Sequence, residues 1–187
     1  METNSQEYKN QDFTTEGLPK GEYEDCRFID CQFVECDLTS CIFVDCEFFS
    51  CDLSNVVIRN TSFKEVAFKE CKLIGCDFSE CNEFLLSLSF RDCQLDYASF
   101  YKLRLKSTPF INCQLKEVDF TETDLTAALF DESNLLSAIF LQSTLEKADF
   151  RLAMNYSISP KVNRIKKAKF SLRGIPGLLD EYDIIIQ

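Results

Sequence analysis

A chain of 187 residues has room for one main domain with a sizeable core, and for little beyond a small appendage. Its formal net charge of -11 argues against nucleic acid or an anionic membrane surface as the direct partner, and a basic partner fits better. With no histidine, no tryptophan, no glycine-rich phosphate loop and no nucleophile motif, the composition gives catalysis little to work with, and no enzyme is expected.

The opening "METNSQEYKNQDF" is polar and mixed in charge. It lacks the basic start and apolar centre of a signal peptide, and no later apolar run approaches membrane-spanning length, so a cytoplasmic protein is expected. In a reducing compartment cysteines read first as thiols or metal ligands, and eleven of them cannot all be used by a closed disulfide framework.

From Tyr8 onward a large apolar residue stands at every fifth position, through Phe13, Leu18, Tyr23, Phe28 and Phe33 as far as Phe78. The phase slips by two residues in "CNEFLLSLSF" and then resumes at Phe90, Leu95 and Phe100, continuing to Phe150. Of 18 phenylalanines only Phe49, Phe84 and Phe170 fall outside these positions. Two residues before almost every large one stands a small or modest one, with Leu88 and Leu103 the larger exceptions and Gln6, Gln11 and Glu16 a weakening at the amino end. All eleven cysteines occupy this slot, beginning with Cys26, Cys31, Cys36, Cys41, Cys46 and Cys51, and Val, Thr, Ala or Ser replace them elsewhere.

Neither a straight helix nor a straight strand can use this period. Five residues advance a helical side chain by about 140° net, and in a strand they reverse its face. The two apolar positions of one unit share a face of a short extended segment, so the chain must turn a corner after each unit. Short sides joined by corners stack into a solenoid whose coils lean on one another.

The units "CDLTS", "CDLSN", "CDFSE", "VDFTE", "TDLTA" and "ADFRL" resemble the pentapeptide-repeat family over roughly residues 6–155. The resemblance implies an all-β, right-handed quadrilateral β-helix with about four units per coil and about seven coils. At the usual inter-strand spacing the rod would be roughly 30 Å long. Residues 1–155 are assigned to this β-helix, with an irregularity near 82–88, and residues 156–187 to a carboxy-terminal cap and dimerisation segment containing a helix.

A metal site in the C-x₄-C run is disfavoured, because structural zinc needs four ligands converging on one point and is usually built from a close C-x₂-C pair. Packing of small apolar thiols is the simpler account; no cofactor and no metal are expected. The outward positions are more informative. Between residues 21 and 55 stand Glu22, Glu24, Asp25, Asp30, Glu35, Asp37, Asp45, Glu47 and Asp52 against the single base Arg27, and these acids form the candidate partner-binding face. Residues 1–150 carry 28 acids and 13 bases, net -15, whereas residues 151–187 carry 3 and 7, net +4.

Two features interrupt the rhythm. In "CNEFLLSLSF" a bulge must absorb two residues, with Phe84 expected to replace Glu83 at the inward position. "YKLRLKSTPF" places Lys102, Arg104 and Lys106 in alternate outward slots as a small basic stripe. After Phe150 the repeat is expected to stop, with Ser159 and Pro160 starting a helix over the basic stretch that follows.

The ending "IPGLLDEYDIIIQ" should cap the last coil. It looks similar to the segment that joins two β-helices end to end in family members protecting DNA gyrase, which makes Leu178, Leu179, Tyr182, Ile184, Ile185 and Ile186 the expected homodimer contacts. Resemblance to the quinolone-resistance and gyrase-poison-immunity branch implies an acidic rod that imitates duplex DNA and binds a type II topoisomerase, DNA gyrase. A structural scaffold or interaction module with an unrelated partner is the alternative.

Overall fold

The computed structural model describes residues 2–185. Each five-residue unit reads small inward, outward, large inward, outward, corner. The corner residue adopts the left-handed conformation in most units, as in Asp25, Asp30, Glu35 and Ser40 with φ of 52, 52, 56 and 61°. One left-handed residue ends the extended run and turns the chain, so every third residue of a unit returns to the interior.

Four units close one coil. Parallel pairing sets Tyr23 against Phe43 and Phe28 against Phe48, a register of twenty residues. We number the sides from the units Gly21–Asp25, Cys26–Asp30, Cys31–Glu35 and Cys36–Ser40. Side 1 holds strands β1 (Glu2–Asn4), β3 (Glu22–Glu24), β5 (Ile42–Val44) and β7 (Ser62–Lys64) in one sheet. Side 2 holds β2 (Glu7–Lys9), β4 (Arg27–Ile29), β6 (Glu47–Phe49), β8 (Val66–Lys69), β9 (Leu88–Arg91), β10 (Pro109–Ile111) and β11 (Leu129–Asp131) in a seven-stranded sheet. Sides 3 and 4 are joined by isolated parallel bridges such as Asp12–Gln32–Asp52–Lys72 and Asp77–Ser99–Asp119. The result is the expected quadrilateral β-helix.

The large residues form stacked columns. On side 2 Tyr8, Phe28, Phe48, Phe68, Phe90, Phe110, Phe130, Phe150 and Phe170 lie with ring centroids 4.6–5.5 Å apart and planes within 18°. Neighbouring columns meet edge to face, as at Phe110 and Phe120 (5.7 Å, 80°), so both favourable aromatic geometries are used in one core.

The small slot often carries a hydrogen bond as well as filling space, although Val56, Ala98 and Val118 fill it without a donor. Cys46, Cys51, Cys71 and Cys76 donate Sγ–H to the carbonyls of Tyr23, Phe28, Phe48 and Leu53 in the coil below, at 3.1–3.3 Å. Thr61, Thr123, Ser133 and Ser143 make the same bond through their hydroxyls, at 2.7–2.9 Å. All eleven cysteines are buried and unbridged.

Two expectations are corrected. Phe84 does not turn inward: it is 69% exposed, and Leu85, left-handed at φ 57°, is 63% exposed. Leu86 packs against the core instead, within a loop fixed by Phe84 N–H to Asn82 Oδ1 (2.9 Å), Leu86 N–H to Glu83 O (3.2 Å) and Ser87 N–H to Phe63 O (3.0 Å). The Asx turn at Asn82 fixes the path of the chain before Glu83 could point inward.

The second correction concerns the ending. No helix starts at Pro160; the ladder continues past residue 155, with Arg164 bridged to Thr144 and Lys169 to Asp149. Phe170 stands twenty residues after Phe150 and stacks on it at 5.3 Å, so it belongs to the pattern. Asn163 fills the small slot, donating to Phe140 O at 2.8 Å. A 3₁₀ helix follows only at Leu172–Leu178, capped by Ser171, with a second turn at Asp180–Tyr182. Tyr156 packs against Gly174 and Gly177, where any Cβ would collide with its ring, hydroxyl or carbonyl.

Candidate partner-binding surface

The nine acids singled out from the sequence do not share one face. Glu22 and Glu24 lie on side 1 and Asp25 and Asp45 on its corner with side 2, forming one group. Glu47 is on side 2, Asp52 on side 3 and Asp37 on side 4, while Asp30 and Glu35 occupy two further corners. They surround the lower coils.

Three of them are tied to neighbours. Asp37 pairs with Lys20 (3.1 Å), Asp52 with Lys72 (3.6 Å), and Glu47 with both Arg27 (3.2 Å) and Lys69. Asp37 also accepts the Thr39 amide at 2.8 Å, and the Thr39 bonds, with Lys20 beside them, hold its carboxyl down at about 2. Among the described residues Glu22, Glu24, Asp25, Asp30, Glu35 and Asp45 make no ion pair.

The register brings in acids that the local count left out. Glu65 stacks on the corner of Asp25 and Asp45, and Glu70 on that of Asp30. A repeat of four units would have placed them. Residues 1–80 carry 17 acids and 7 bases, net -10, in four twenty-residue coils. At about 4.8 Å per coil this is roughly one net charge per 2 Å of rod. Duplex DNA carries one per about 1.7 Å of axis.

The expected basic stripe is outward but largely compensated by the next coil: Lys102 meets Glu122 at 3.7 Å and Lys106 meets Asp124 at 3.4 Å. Of the tail residues, Leu178 and Leu179 are half-buried, Leu178 against the core, whereas Tyr182, Ile184 and Ile185 are exposed. Ile186 lies outside the described residues. The Ile158 amide bonds Gly177 O at 2.8 Å, and Lys161 pairs with Glu181 at 3.1 Å, so the tail is fastened over the last coil.

A cavity of about 750 Å³ lies between that coil and the tail and is lined by Leu136, Arg151, Met154, Tyr156, Arg173 and their neighbours. Among the described residues no group of three or more His, Cys, Asp or Glu could hold a metal ion, and no helix is long and apolar enough to cross a membrane.

The fold is similar to that of a trypsin-treated form of QnrB1, a plasmid-mediated fluoroquinolone resistance protein, at 16% identity and a TM-score of 0.50 over 100% of both chains. A pentapeptide repeat protein from the thylakoid lumen of Arabidopsis thaliana is 24% identical over 52% of this chain and 59% of its own, with a TM-score of 0.38. HetL from the cyanobacterium Nostoc is 17% identical over 92% and 88%, with a TM-score of 0.28. A search of curated protein sequences finds no match. The family model for the pentapeptide repeat region matches residues 22–100 and 85–154, most of the rod described above. By that match, and by the five-residue unit seen in its coils, the chain belongs to the pentapeptide-repeat family.

Proposed function

We propose that the protein is a non-enzymatic binding protein that presents its acidic rod to the DNA-binding groove of a type II topoisomerase, with DNA gyrase as the partner. The observation that carries this reading is the charge density of the first four coils, close to that of duplex DNA on a rod of stacked strands. A basic groove attracts such a surface by the same salt-dependent term that attracts DNA. Family membership, and a fold shared with a fluoroquinolone resistance protein, support the choice of partner.

The test is gyrase supercoiling with purified protein. Inhibition at high protein concentration and relief of quinolone inhibition at low concentration are expected; neither effect would remove gyrase as the partner. A second reading, a rigid scaffold for another protein, draws support from the spread of the acids over all four sides. Binding that does not weaken with added salt would favour it.

A further inference from the structure

Side 1 differs from the rest of the rod in carrying opposite charges at its two ends. Its outward and corner positions begin with Glu2, Glu22, Glu24, Asp25 and Asp45, with no base among them. They end with Lys147, Arg164, Lys166 and Lys167 against the single acid Glu146. Between these ends three bases (Lys64, Arg104, Lys106) and three acids (Glu65, Glu83, Asp124) cancel. Among the described residues none of the five lower acids is in an ion pair, nor are Lys147, Lys166 and Lys167.

The middle of the same side is where the phase slip falls. The bridges climb Glu2, Glu22, Ile42, Ser62 and Asn82, break, and resume as Arg104, Asp124, Thr144 and Arg164. Four positions lie below Asn82 and four above it. The loop that begins there carries the exposed pair Phe84 and Leu85. An apolar projection thus stands halfway between an acidic end and a basic end.

We propose that side 1 is a self-association surface, on which a second copy of this chain lies antiparallel about a two-fold axis through the Phe84–Leu85 loop. In a two-fold contact each patch meets its complement twice, so both acidic ends face basic ends at once while the apolar loops meet at the centre. Parallel stacking would oppose like charges. Exposed aromatic residues at the centre of a polar surface are the usual anchors of an interface. One narrow side of a rod belongs to the small, weak class of contact, so pairing is expected at high micromolar concentration and low salt.

Sedimentation equilibrium of the full chain tests this independently of any topoisomerase. A dimer that weakens at least tenfold between low and high salt is expected, and Phe84→Asp, a change at an exposed position, should abolish it while leaving the circular dichroism spectrum unchanged. Lys166→Glu with Lys167→Glu, and separately Glu22→Lys with Glu24→Lys, should each be monomeric alone and pair when mixed. A monomer under every condition would overturn the proposal. So would a dimer that survives Phe84→Asp and is lost in Ile184→Asp, which would assign pairing to the tail.

Discussion

At the residue scale, the small slot is a hydrogen-bond donor site as much as a space. An inward carbonyl of the coil below points into it, and Cys, Ser, Thr and once Asn answer with a donor. Cysteine, serine and threonine are therefore interchangeable there, while Val56, Ala98 and Val118 fill the same slot by packing alone. Several of these carbonyls also accept a backbone amide, as Leu53 O does from Val56, so the side-chain bond is a second one worth about 0.5–1.5 kcal/mol. Cys51→Ala is therefore expected to lower unfolding stability by about 0.5–1.5 kcal/mol, and Cys51→Ser by less, measured by urea denaturation; equal losses would reduce the slot to packing alone.

The outward Asp of units such as "CDLTS" has a matching role, accepting the amide two residues on at Asp37, Asp52 and Asp124. Asp149 is likewise held at about 2, by Arg151 and then Lys169. A depressed carboxyl contributes stability that is present above the ordinary carboxylate range and is lost as pH falls through the folded value. The urea midpoint should thus drop between about pH 4 and pH 2, and the double variant Asp37→Asn, Asp149→Asn should flatten that drop.

Elements here are only as good as their corners. A left-handed residue at each corner carries a cost of roughly 1 kcal/mol unless it is glycine, or asparagine or aspartate with local bonding. Gly75 (φ +69°) sits at such a corner with Asn55 Oδ1 2.4 Å from where a Cβ would stand. Gly75→Ala should cost about 1–2 kcal/mol of stability, whereas Phe110→Ala, which empties a position stacked on both sides, should cost about 3–5 kcal/mol. Thermal denaturation of both variants checks the order; a costlier glycine change would mean that corners outweigh columns.

Much of this level was legible from the sequence, because a five-residue period admits no straight element and forces corners. Two stretches were not. At Asn82–Ser87 an Asx turn and a left-handed leucine, rather than burial of the nearest phenylalanine, decided the path of the chain. Beyond Phe150, Asn155 and Pro160 broke the apolar rhythm for two units and hid the return of Ile165 and Phe170 in the phase that follows the slip. The candidate surface was less legible still: acids can be counted in a sequence, but which of them share a side follows only from the twenty-residue register.

For the whole molecule, what matters is how charge is laid along the axis. Four coils with a net -10 form an anionic rod, while the last coil and tail are basic. The gradient separates a surface suited to a basic groove from one that would be repelled by nothing in an acidic partner. The most direct test is displacement of fluorescently labelled duplex DNA from gyrase by the purified protein, followed by anisotropy across a range of salt concentrations. Complete displacement, with an apparent affinity that falls steeply and linearly in log–log form as salt rises, is the predicted result. DNA that stays bound at saturating protein, or displacement indifferent to salt, would contradict the account.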